Sequence, residues 1–170
     1  MSFVDQIKDR LLELFPQPVS TGTVAEKGSE SEEDGDRCRG MLLTDHAARG
    51  SGIDVFCDPD QVTMAAKIMN DCGFFLEAIT GVDWMKEEKI EVVYDYNHYG
   101  FEQCRVVVRT FISRSEPDIP TISHITPAAD WHERETHDFY GIRFIGHPHL
   151  IPILLPEDAD FHPLLKDFTP

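Results

Sequence analysis

Apolar residues at the start of the chain recur at helical spacing: Phe3, Val4, Ile7, Leu11, Leu14 and Phe15. The spacing predicts an amphipathic helix for packing, and Pro16 stops it. The pattern vanishes from Glu26 to Arg39, a run of mainly acidic residues that reads as a solvated loop. It returns with a period of two. Gly40–Thr44 and Ile53–Cys57 read as short strands. Asp58-Pro59 then offers a capping oxygen and a proline at a first helical position. Val62, Ala65, Ala66, Met69 and Cys72 give the following helix an apolar face, and Gly73 closes it. Phe74–Thr80, Lys89–Tyr96 and Gln103–Ile112 read as strands, the last two joined into an antiparallel hairpin through the turn sequence Asn97-His98-Tyr99-Gly100. The fold class expected is α+β: a mostly antiparallel or mixed sheet with helices on one face.

The last helix is predicted between Pro127 and Gly141. Ala128, Trp131, Glu135 and Phe139 fall on one stripe of it. Glu135 is therefore expected to be buried between aromatics and paired either with an arginine, Arg105, Arg109 or Arg143 being the candidates, or with backbone donors, because an unpaired buried carboxylate costs several kcal/mol, roughly. Beyond Gly146 the chain is apolar, yet Pro148, Pro152, Pro156 and Pro163 forbid a regular helix or a central strand. The chain divides accordingly into an α+β domain, residues 1–146, with the acidic loop 26–39, and an extended docking tail, residues 147–170.

Charge narrows the partners. A net charge of −16 repels phosphate backbones, so nucleic acid is not an expected partner. No apolar run reaches the roughly 18 residues that span a bilayer, and Met1–Arg10 lacks the features of a secretory signal. Cys38, Cys57, Cys72 and Cys104 are scattered without a C-x-x-C pair, which gives no support to a zinc knuckle or an iron–sulfur ligand set. Free thiols in a cytosolic compartment are the expectation.

Motifs for self-contained catalysis are missing: no P-loop, no dinucleotide fingerprint and no nucleophile elbow occurs. His132-Glu133-Arg134-Glu135-Thr136-His137 imitates a zinc-protease helix but sets its histidines five apart, about 140° around the axis. His147, His149 and His162, with Asp158 and Asp160 nearby, leave open a small metallohydrolase. The acidic loop leaves open a binding module that works outside any redox assembly.

One resemblance covers the last forty residues. The pattern W-x-E-R-E-x-x-D-x-x-G-I-x-F-x-G-H-P-x-L, then I-L, then H-P-L-x-K-D-F, resembles the thirty-kilodalton subunit of respiratory NADH:quinone oxidoreductase and the related subunits of membrane-bound hydrogenases and dehydrogenases. Its positions here include Trp131, Glu133, Arg134, Glu135, Asp138, Gly141, Phe144, Gly146, His147, Pro148, His162, Pro163, Lys166 and Asp167. The weaker likeness reaches back through Ile79–Trp84 to roughly Asp54. The resemblance implies a non-catalytic scaffold without cofactor or metal. It implies a peripheral place on the cytoplasmic side of the membrane. The implied partners are a forty-nine-kilodalton-like subunit that shapes the quinone site and neighbouring iron–sulfur subunits. The sequence departs from the family where arginines are usual: Ile151, Pro152 and Leu165 stand there, and Phe161 replaces a glycine. These departures imply a partner surface unlike the usual one.

Overall fold

The computed structural model describes residues 3–14, 40–44, 46–100 and 105–169. The acidic loop 26–39, Cys38, Cys104 and the start of the strand expected from Gln103 lie outside these. Helix α1 (Phe3–Leu14) precedes β1 (Gly40–Leu43), a short α2 (His46–Arg49) and β2 (Ile53–Phe56). A 3-10 turn at Pro59–Gln61 leads into α3 (Val62–Asp71), where the Gln61 side chain accepts the Asp58 N–H at 3.0 Å. Three long strands follow: β3 (Phe75–Trp84), β4 (Lys89–Asn97) and β5 (Arg105–Ser113). Then come β6 (Asp118–Pro120), α4 (Ala129–Tyr140) and β7 (Arg143–Ile145).

The main sheet has the order β1-β2-β5-β4-β3. All its pairings are antiparallel except β2 with β5, so the sheet is mixed. A second sheet, β6 with β7, is parallel and was not expected; two three-residue strands carry too little periodicity to be read.

Alternation gives each long strand two unlike faces. Ile90, Val92, Tyr94 and Tyr96 of β4, with Val106, Val108 and Ile112 of β5, point into the core. There they meet Ile7 and Leu11 of α1, Val62, Ala65, Ala66 and Met69 of α3, and Ala129 of α4. Each large aliphatic group buried this way contributes about 1.5–3 kcal/mol. The opposite face carries charge. Arg109 donates to Glu91 at 2.9 Å, Trp84 Nε1–H donates to Glu91 at 3.0 Å, and Arg105 donates to Asp95 at 3.1 Å.

Helix α4 approaches the edge strand β3 at Gly81. A methyl group there would sit 2.6 Å from the Tyr140 ring. Gly81→Ala is therefore expected to lower the unfolding free energy by about 1–3 kcal/mol, an overpacking cost read from urea denaturation.

Candidate functional site

The face of α4 that turns inward is not the one expected. Ala129, Glu133 and Thr136 are buried and Tyr140 packs on β3, whereas Glu135 is exposed and Trp131 is 62% exposed. The expected burial of Glu135 is thus corrected: Glu133 is the buried acid. The reason lies in what faces the helix. Thr121 donates its hydroxyl to Glu133 Oε2, and the Ile122 N–H donates to Oε1 at 2.7 Å. The partners of the buried acid are thus one backbone N–H and one hydroxyl from the loop after β6, the backbone donor being one of the two kinds of partner expected and the arginine being absent. Arg105, Arg109 and Arg143 are engaged elsewhere, by Asp95 and Glu77, by Asp54 and Glu91, and by Asp118. Trp131 lies outside with the Arg134 guanidinium 5.3 Å from its ring centroid, a cation–π contact.

Residues 146–169 carry no helix or strand. They run back as a strap over α4 and the end of β3, and the domain supplies acceptors for their backbone. Asp138 Oδ2 accepts three consecutive N–H groups, of Ile153 (2.9 Å), Leu154 (2.7 Å) and Leu155 (3.1 Å). Burial pushes the Asp138 carboxyl up, but these bonds outweigh it and hold it below the usual 3.8. Buried Asp83, at the end of β3, accepts the Lys166 N–H at 2.8 Å and two bonds from Arg114. Arg114 reaches on to Asp167 and clamps the far end of the strap. Arg134 donates to the carbonyl of Ile151 at 3.0 Å. Phe139 accepts the Leu164 N–H through its carbonyl.

Several motif residues serve the path of the chain. Gly141 has φ +74°, and a side chain there would strike the His162 ring at 2.6 Å. That ring's Nδ1 meets the Asp138 carbonyl at 2.9 Å. Phe144 is buried in β7, and Gly146 (φ +88°) turns the chain into the strap before Pro148. Pro163 follows His162 in the closing turn.

The histidines do not converge. The His147 side chain is fully buried beside Glu133 and Asp130, His149 is exposed, and His162 sits at the opposite end of α4. His132 and His137 are separated on α4, His137 facing the Ile142 carbonyl. Asp83, Arg114 and Thr121 are the site residues that sequence reasoning missed. Asp83 carried a signal: it continues the core-facing phase of Ile79 and Gly81, where a carboxylate requires a donor partner.

The outer surface of this region carries several large apolar side chains among its charged ones. Ile145 (56% exposed), Leu154 (58%), Ile151, Phe161 and Leu164 face outward, as does Trp131. The strap therefore hides its backbone and displays its side chains.

Comparison with known families decides the class. The family model described as respiratory-chain NADH dehydrogenase, 30 Kd subunit, matches residues 55–170. The chain belongs to this family. An NADH-quinone oxidoreductase subunit of Roseiflexus castenholzii is 37% identical over 131 residues, 74% of each chain. The corresponding protein of Moorella thermoacetica is 43% identical over 98 residues, 56% of this chain and 65% of the relative. Among solved structures, a trypsin-resistant fragment of Nqo5 matches at 28% identity and a TM-score of 0.53, covering 59% of this chain and 83% of the fragment. A chain of the membrane-bound sulfane sulfur reductase, an archaeal respiratory membrane complex, matches at 25% identity and a TM-score of 0.68, over 99% of this chain and 86% of its own. The matched span of the 30 Kd family includes α4, the strap and every carboxylate that holds it.

Asp138→Ala removes the acceptor of three strap amides. Hydrogen bonds to a charged group contribute about 1.5–3 kcal/mol. The variant is expected to lose residues after Gly146 to a nonspecific protease at least roughly tenfold faster than the parent chain, read by mass spectrometry.

Proposed function

We propose that this chain is a scaffold subunit in the peripheral arm of a complex I-like NADH:quinone oxidoreductase, without an active site of its own. It docks through α4 and the strap on the forty-nine-kilodalton-like subunit that shapes the quinone site, beside the iron–sulfur subunits. There it supports electron transfer to quinone and the ion translocation coupled to it. Its place is the cytoplasmic side of the membrane, as a peripheral component; no described helix is long and apolar enough to cross a bilayer.

The observation that carries this reading is the arrangement of the strap. The N–H groups of Ile153, Leu154, Leu155 and Lys166 are held by Asp138 and Asp83, while Ile151, Leu154, Phe161 and Leu164, with Ile145 of the adjoining β7, stay exposed. Apolar side chains held outward by a pinned backbone are an ordered docking face, and exposed apolar patches of this kind mark protein contacts. Little conformational entropy is then lost on binding.

A second reading has its own support. The likeness to the archaeal sulfane sulfur reductase chain extends over 99% of this chain, strap included. It favours a role in a related membrane-bound complex with a different electron donor, such as a hydrogenase or another dehydrogenase. Purification of the native complex under mild detergent distinguishes the two by whether NADH-oxidising subunits accompany the chain.

Ile145→Asp and Leu154→Asp place a charge in the exposed face and touch no core group. Each is expected to leave the melting temperature within about 2 °C of the parent, since exposed substitutions change stability by under about 0.5 kcal/mol. Each is expected to abolish recovery of the quinone-site subunit in a pull-down from native membranes. Undiminished recovery with both variants refutes docking through this face.

A further inference from the structure

The strap closes on the C-terminal end of α4 through two imidazoles, and the docking face includes neither. His137 stands in the last turn of the helix. His162 comes back from the strap, and its ring fills the space that a side chain at Gly141 would take. Its Nε2 lies 2.6 Å from where a Cβ would be. Position 141 comes four residues after His137, about one turn along. The two rings are therefore neighbours, with centroids 6.4 Å apart and planes inclined by 59°.

Hydrogen bonds orient both rings in the same way. His137 Nδ1 meets the Ile142 carbonyl at 2.9 Å, and His162 Nδ1 meets the Asp138 carbonyl at 2.9 Å. A carbonyl only accepts, so Nδ1 carries the hydrogen in each ring. In the neutral imidazole the lone pair then sits on Nε2. Neither Nε2 has a hydrogen-bond partner among the described residues, and neither is sealed from solvent. A ring that donates Nδ1–H to a carbonyl and offers a free Nε2 is in the form that metal ligation uses.

We propose that His137 and His162 form a two-histidine site for a divalent ion of the nickel–copper–zinc group, which staples the strap to α4. Imidazole nitrogen suits these ions, whereas magnesium and calcium prefer oxygen. Zinc sits about 2.0–2.1 Å from a ligating nitrogen, so two rings sharing one ion have centres roughly 5–6 Å apart. Small rotations within the side-chain wells bring the pair from 6.4 Å into that range. The C-terminal end of α4 is the negative pole of its helix dipole, which favours a cation there. No third histidine, cysteine or acid completes a cluster among the described residues, so water fills the remaining positions on the ion. Both ligands come from one chain, and the site is the same whichever complex that chain joins.

Titration of the full chain with zinc, followed on the imidazole nitrogens by proton–nitrogen correlation NMR, tests it. The Nε2 resonances of His137 and His162 are expected to shift along one shared saturation curve, while those of His98, His132 and His149 stay in place. His137→Gln is expected to weaken the His162 response at least roughly tenfold. The Leu164 amide, which donates to the Phe139 carbonyl at 3.2 Å, reports the seat of the strap. Its hydrogen-exchange opening constant is expected to fall on zinc binding, by up to about 100-fold at a free zinc concentration 100 times the Kd. In His137→Gln it is expected not to fall. Shifts spread evenly over all the histidines overturn the proposal. So do separate curves for the two rings, or no saturation by about 1 mM free zinc. Zinc bound at the pair with unchanged exchange at Leu164 overturns the staple. Should His137→Gln not fold, the shared curve and the Leu164 response of the parent chain decide the matter.

Discussion

A segment broken by prolines cannot satisfy its own backbone, and every N–H it buries needs an acceptor from elsewhere. That constraint shapes the second half of this molecule. Asp138 takes three N–H groups in a row, Asp83 takes another, and Glu133 ties the preceding loop to the same helix. Each is a buried carboxyl group held by backbone donors, and Asp83 pairs with Arg114 as well. Charge-assisted bonds are about twice as strong as neutral ones, so a few acids hold a long irregular segment in place.

The same acids account for the exposed apolar side chains of the strap. Side chains follow the backbone that carries them. Once Ile153–Leu155 are turned inward by their amides, Leu154 must project outward, and it is one of the most exposed large apolar residues of the strap. The domain beneath provides rigidity. Its mixed sheet, packed on α1, α3 and α4, sets the end of β3 and the length of α4 as a fixed platform.

Much of this was legible in the sequence, and what was not has a common cause. The period-two runs in β4 and β5 and the apolar spacing in α3 marked their elements, since burial on one face leaves a periodic trace. The motif from Trp131 to Asp167 falls on α4, β7 and the strap. The orientation of α4 was not legible. Trp131 and Phe139 drew the expected inward stripe through Glu135, but the decisive groups were two donors at Thr121 and Ile122 and a glycine at position 81. A helix with few apolar residues is turned by its polar partners, and those partners lie far away in sequence. The strap's seat was hidden for the same reason: the acceptors of its backbone are side chains at positions 83 and 138.

Protonation of Asp138 tests the central claim most directly. The amide resonances of Ile153, Leu154 and Leu155 in the full-length chain are followed by NMR as the pH is lowered. If one ionised carboxylate holds all three, they shift together with a single midpoint below the ordinary aspartate value of 3.8. Three unrelated titrations, or a shared midpoint at or above that value, would contradict the account.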